Sequence, residues 1–105
     1  MPSLAAQHRS DTMNFKPRER ASNVLKALGN PHRLKVVCHL SRNESSVSEL
    51  EKVTRLSQSA LSQHLAKLRQ QGLVKTRRHA QAVYYSLDGS VAIEVLMALR
   101  AAKLI

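Results

Sequence analysis

The stretch SVSELEKVTRLSQSALSQHLAKLRQQG, residues 46–72, determines the fold because it contains two helix starts separated by a short turn. Ser46 and Glu49 have the spacing of a capping box, in which a hydroxyl and a carboxylate satisfy the exposed backbone donors of a first turn. Ser57 then caps a longer helix, which Gly72 ends. Two helices joined by so short a turn form a helix-turn-helix.

The residues after Gly72 change from helical to alternating periodicity. Residues 73–78 and 82–87 are predicted to form two strands, and the polar residues 79–81 join them as a hairpin. The hairpin carries several basic side chains. A basic hairpin after the second helix of a helix-turn-helix is a wing.

The N-terminal half adds two predicted helices. Apolar residues recur at helical spacing up to Leu28, and Asn30-Pro31 then supplies a cap and a first-turn proline for the next helix. Residues 1–15 are polar and lack periodicity, so we predict a mobile N-terminal tail there. The domain proper is predicted to cover residues 16–105.

The last predicted helix, residues 91–103, starts after Asp88 or Ser90 as its cap and is apolar nearly all round. One small domain can bury only part of such a helix. We therefore predict a homodimer formed through the first and last helices. The fold class is mainly α with a β-hairpin wing (α+β), a winged helix-turn-helix.

Charge indicates the kind of partner. The 105 residues carry 17 Lys and Arg against 7 Asp and Glu, a net charge of +10. Such a charge attracts a polyanion, either nucleic acid or an acidic membrane surface. No apolar run has the length of a signal peptide or of a membrane span, so we expect a cytoplasmic protein without a membrane partner.

The second helix of the helix-turn-helix has an outward face that is small, polar and uncharged, which suits the major groove of DNA. Basic residues near its end and in the wing suit phosphates. A merely solvated helix face and charges that serve solubility are the alternatives. The predicted DNA-binding residues are Ser57, Gln58, Ser59, Ser62, Gln63, Lys67, Arg69, Arg77, Arg78, His79 and Gln81. His64, at the edge of the apolar stripe, is predicted to have a hydrogen-bonded packing role.

The chain resembles the ArsR/SmtB family of dimeric winged-helix repressors in residues 25–34, 56–65, 68–74 and 84–87. The resemblance implies dimerisation through the first and last helices, repression by occupying an operator, and release when an inducer binds or modifies the dimer. Because a symmetric dimer presents its two DNA-reading helices to successive major grooves, we expect the operator to be an imperfect inverted repeat.

Many members of that family bind metal at one or both of two sites. In those relatives one site uses a Cys-x-Cys pair in the third helix, and here that stretch has no thiol. The other site uses Asp and His residues of the last helix, and here no His follows His79. We therefore predict neither a metal nor a cofactor.

Within that family the chain is most similar to the sulfide- and redox-responsive branch of biofilm growth-associated repressors and haemolysin activators. Members of that branch link one Cys in the second helix to another near the C-terminus. Cys38 occupies the first position, and Leu104 occupies the second. For Cys38 three roles remain open, namely packing as a small apolar residue, modification of a single thiol, and metal binding with His39.

Three other functions are weighed against a repressor. An enzyme is disfavoured because the sequence shows no nucleophile and base convincingly placed in a pocket. A module for protein assembly or RNA is disfavoured by the small polar helix face. An activator that displaces a silencing protein would use the same DNA contacts, and the sequence does not distinguish it from a repressor.

Overall fold

A computed structural model describes residues 15–105 and confirms the mainly α architecture with a hairpin wing. The helices are α1 (Phe15–Leu28), α2 (Pro31–Leu40), α3 (Val47–Thr54), α4 (Gln58–Gln70) and α5 (Val91–Ala101). The strands are β1 (Ser45–Ser46), β2 (Val74–His79) and β3 (Ala82–Leu87). The predicted N-terminal tail lies outside the described residues, apart from Phe15, with which α1 begins.

The three predicted helix starts in the middle of the chain have the predicted cap residues, although within the described residues the Glu49 carboxylate makes no reciprocal bond to the Ser46 N–H. The Asn30 side chain accepts hydrogen bonds from two backbone N–H groups of the first turn of α2. Ser46 accepts from the N–H of Glu49, and Ser57 accepts from that of Ala60. Because these caps satisfy donors that a helix leaves free, they determine where α2, α3 and α4 begin.

The sheet differs from the predicted hairpin in two ways. A third strand, β1, pairs antiparallel with β3, so that the strand order is β1-β3-β2. β1 has only two residues, too few for an alternating pattern to reveal it. His79 pairs with Ala82, so the turn consists of Ala80 and Gln81 rather than three residues, and Ala80 has a φ of 54°.

The ends of α5 also differ from the prediction. Ser90 occupies the N-cap position but makes no side-chain cap, because its hydroxyl lies 3.5 Å from the Glu94 carboxylate instead. The predicted helix extended to Lys103, whereas α5 ends at Ala101. Helix ends are the least determined part of a periodic pattern.

The core contains the predicted inward stripe of α4, since Leu61, Leu65 and Leu68 are fully buried. On α2, the predicted inward stripe was Leu34, Val37 and Cys38. Val37 is fully buried, as is the neighbouring Val36, whereas Leu34 and Cys38 are only half-buried. Large exposed apolar side chains within residues 16–105 belong to α1, to α5 or to the residues after it. They are Leu25, Val91, Ile93, Met97, Leu104 and Ile105. None of the helices described is long and apolar enough to cross a membrane.

Candidate nucleic-acid interface

The N-terminal half of α4 presents an exposed polar surface. Gln58, Ser59, Ser62 and Gln63 are exposed, while the leucines of the same helix face the core. The turn before α4 is tight because Arg55 adopts the left-handed conformation, with φ 59°. In a helix-turn-helix, the start of the second helix is the part that contacts base edges.

A groove of about 490 Å³ joins this surface to the wing. It is lined by the starts of α3 and α4 and by the outer end of the hairpin, and its lining includes both Gln58 and Gln81. Arg78 and His79 are exposed on the neighbouring part of β2. The structure therefore brings together two predicted residues, Gln58 and Gln81, which are separated in the chain by the rest of α4 and by β2.

The predicted basic cluster is divided in the structure. Lys67 lines a shallow hollow with Arg33 and residues of α1, and Arg69 lines another beside Arg20. The sequence placed these cations with those of the wing because they are close along the chain, whereas α4 carries them toward α1.

Arg77, one of the predicted phosphate contacts, has a protein partner. Its Nε and Nη2 donate to the two carboxylate oxygens of Glu44, at 2.8 and 2.6 Å. The guanidinium also lies over the Tyr84 ring, with its carbon 4.6 Å from the centroid. The hydrogen bonds from Arg77 lower the pKa of the Glu44 carboxyl below its ordinary value, and this ion pair stays charged at neutral pH.

Arg33 connects α1, α2 and α4 through its side-chain contacts. From α2, its Nε donates to the carbonyl of Ala27 near the end of α1, at 2.6 Å. Its Nη1 lies 3.1 Å from Nδ1 of His64 on α4. His64 is half-buried and its ring lies 5.4 Å from that of His32, in agreement with the hydrogen-bonded packing role predicted for it.

Stability is expected to fall below about pH 6.5 because of His64. Burial lowers its pKa from the ordinary 6.5, and the positive charge of Arg33 lowers it further. The unfolded chain therefore takes up this proton more readily, so the free energy of unfolding declines as the pH drops from the unfolded-state pKa to the folded-state pKa. Urea unfolding at several pH values measures the decline.

His64→Gln retains an acceptor for Arg33 without a titrating ring, so it should remove this part of the pH dependence. His79→Gln removes an exposed imidazole at the wing and is the control, which should keep the wild-type dependence. A wild-type decline that persists unchanged in His64→Gln would contradict the assignment.

Cys38 lies on α2 and is half-buried against the core. Leu104, at the position of the second thiol in the branch that the sequence resembles, is exposed beyond the end of α5. In the described part of the chain, no group of three or more His, Cys, Asp or Glu side chains is arranged to hold a metal ion.

The sequence did not identify Arg33 and Glu44 as residues that position the interface. Their partners are 31 residues away for Arg33 and 33 residues away for Glu44. Contacts between residues so far apart in the chain leave no periodic signal in the sequence. The position of Glu44 directly before β1 would have been informative, but that strand was itself not predicted.

Comparison with known proteins identifies the family. The profile of the arsR family of bacterial regulatory proteins matches residues 30–76, from the cap of α2 into β2. The transcriptional activator HlyU of Vibrio cholerae is 50% identical over 82 residues, which cover 74% of this chain and 76% of HlyU. The chain belongs to the arsR family of bacterial regulatory proteins.

Other arsR-family proteins extend the comparison. The biofilm growth-associated repressor of Xylella fastidiosa is 39% identical over 103 residues, covering 91% of this chain and 90% of the repressor. The structure of reduced HlyU from V. cholerae matches with a TM-score of 0.78 at 44% identity, over 88% of this chain and 96% of that one. A homodimeric winged helix-turn-helix DNA-binding domain from Mycobacterium bovis matches with a TM-score of 0.74 at 26% identity, over 81% and 79% of the two chains.

These matches confirm the resemblance and the fold that the sequence predicted. The arsR-family relatives are transcription regulators, and they include both an activator and a repressor. This chain is accordingly a DNA-binding regulator by family.

Proposed function

We propose that a homodimer of this chain binds an imperfect inverted repeat in duplex DNA and represses transcription from it. The start of α4, with Ser57, Gln58, Ser59, Ser62 and Gln63, enters the major groove and contacts base edges. The observation that carries the proposal is the groove that Gln58 of α4 and Gln81 of the wing both line. Phosphate contacts come from Arg78 and His79 at the wing, and from Lys67 and Arg69 in the last turn of α4.

The dimer is supported by the distribution of exposed apolar side chains. All large ones within residues 16–105 lie on α1, on α5 or after α5, the two helices predicted to associate. An apolar groove of about 420 Å³ runs between these helices, lined by Leu25 of α1 and by Val91 and Val95 of α5. Patches of this kind are typical of protein interfaces.

A dimer with two-fold symmetry presents its two α4 helices to successive major grooves, which is why an inverted repeat is proposed. Competition between a duplex that the protein selects and a single-stranded RNA of the same sequence tests the DNA preference. We expect the duplex to displace the RNA. Equal competition by the RNA would favour the alternative of an RNA-binding module.

The proposal includes release of the dimer from its operator, either by an inducer or by modification of a thiol. Cys38 is the one cysteine of the chain, so an intrachain disulfide is excluded and a single-thiol adduct remains. Its sulfur packs against the same core as α4, and an adduct there would overfill that space and displace α2. That the relative HlyU is a transcriptional activator favours the alternative of an activator, which would use the same DNA contacts.

Treatment with peroxide or a persulfide donor is expected to lower operator affinity of the wild type about 5- to 150-fold, the usual range of allosteric coupling. Cys38→Ser should bind the operator as the untreated wild type does, and should keep that affinity after treatment. Titration of labelled operator, with mass spectrometry of the adduct, measures both. Equal release of wild type and Cys38→Ser would assign Cys38 to packing alone.

A further inference from the structure

The Arg77 side chain crosses the middle strand of the sheet. The register places Arg77 opposite Tyr84, and Tyr84 opposite Ser46 of β1. The guanidinium lies over the Tyr84 ring and reaches Glu44, the residue directly before β1. One side chain on β2 is therefore fastened to the opposite edge of the sheet.

This contact needs an arginine. Two guanidinium nitrogens meet both oxygens of the Glu44 carboxylate while the planar group covers an aromatic face. Lysine has the charge but neither the fork nor the plane. Because the Arg77 side chain is 53% exposed, the pair adds little to the stability of the fold, so a purely stabilising role explains it poorly.

The contact lies where the wing leaves the three-stranded sheet. β1 pairs only with Tyr84 and Tyr85. Beyond that point the hairpin has two strands, with Arg78 opposite Val83 and His79 opposite Ala82. A two-stranded hairpin by itself is only marginally stable. A contact at the base of the hairpin can therefore fix the direction in which its outer end points.

We propose that Arg77 is a positioning residue which, with Glu44 and Tyr84, holds the wing at the angle that matches the DNA and does not itself neutralise a phosphate. This inference rests on the proposed function and changes the role that the sequence assigned to Arg77. Arg78 is its contrast, because its exposed side chain has no hydrogen-bond or ion-pair partner within residues 15–105. Arg78 is therefore available for a phosphate contact.

The test measures affinity at several salt concentrations for the duplex that the wild type selects from a random-sequence pool and for a scrambled duplex. Arg77→Ala, Arg77→Lys and Glu44→Gln should each lower the ratio of selected to scrambled affinity at least about threefold, within the range of an exposed ion pair. Their salt slopes should equal that of the wild type. The double variant Glu44→Gln/Arg77→Ala should lose no more than either single change.

Arg78→Ala is the matched control, and it should weaken both duplexes alike and lower the salt slope by about 0.9. Circular dichroism and thermal melting check that each variant is folded. In NMR spectra, the Arg77 Nε–H signal should stay at its free-protein position when DNA is added.

A phosphate contact by Arg77 would overturn the proposal. Arg77→Ala would then lower the salt slope by about 0.9, Arg77→Lys would bind like the wild type, and Glu44→Gln would strengthen binding to both duplexes. If the wild type enriches no duplex, the proposed function itself fails, and the positioning role falls with it.

Discussion

Replacing Leu25 with Glu is expected to dissociate the dimer and to lower operator affinity by about a hundredfold or more, because one DNA-binding half then acts without the other. Leu25 is 60% exposed in the protomer, and it borders the apolar groove between α1 and α5. A carboxylate at that surface would have to lose its water on association. A two-fold interface contains the change twice.

Sedimentation equilibrium at micromolar concentration measures the association, and titration of the selected duplex measures binding. Lys35→Gln, on the exposed side of α2, changes the net charge by the same unit and should leave both results at the wild-type level. A wild type that sediments as a monomer, or a Leu25→Glu variant that stays dimeric, would show that the interface lies elsewhere.

Gln63→Ala is expected to cost about 1–3 kcal/mol of binding free energy on the selected duplex and much less on a scrambled one. Gln63 is exposed in the N-terminal half of α4, and a glutamine amide can pair in bidentate fashion with adenine. The loss should fall on specificity, since an uncharged side chain releases no counterions.

Gln70→Ala is the control for this change, because Gln70 is exposed at the C-terminal end of the same helix, away from the expected base contacts. It should bind both duplexes like the wild type. An equal loss on selected and scrambled duplexes for Gln63→Ala would contradict base contact. A loss for Gln70→Ala as large as that for Gln63→Ala would show that α4 docks differently.

Local signals in the sequence predicted the helices that form the interface. A cap at Ser57, a leucine stripe and Gly72 lie within one segment, and each acts on its own neighbours. Gly72 ends the helical segment with a φ of 70°, which glycine adopts without strain. Helical periodicity alone therefore predicted which side chains of α4 are exposed and which are buried.

Features that depend on packing between distant segments were not predicted. The apolar pattern of residues 91–99 has no clear inward side, and it makes Leu96 as suitable for the dimer interface as Met97. The structure buries Leu96 and exposes Met97. Glutamate at position 96 would consequently disrupt the protomer. The contacts of Arg33 and Glu44 likewise exist only once α2, α4 and the sheet have packed.

Selection of duplexes from a random-sequence pool, followed by hydroxyl-radical footprinting of the enriched sequence, tests the central claim most directly. We expect an inverted repeat whose half-sites are about 10 base pairs apart centre to centre, protected by two copies of the chain. Enrichment of no sequence, or of a single half-site protected by one copy, would contradict it.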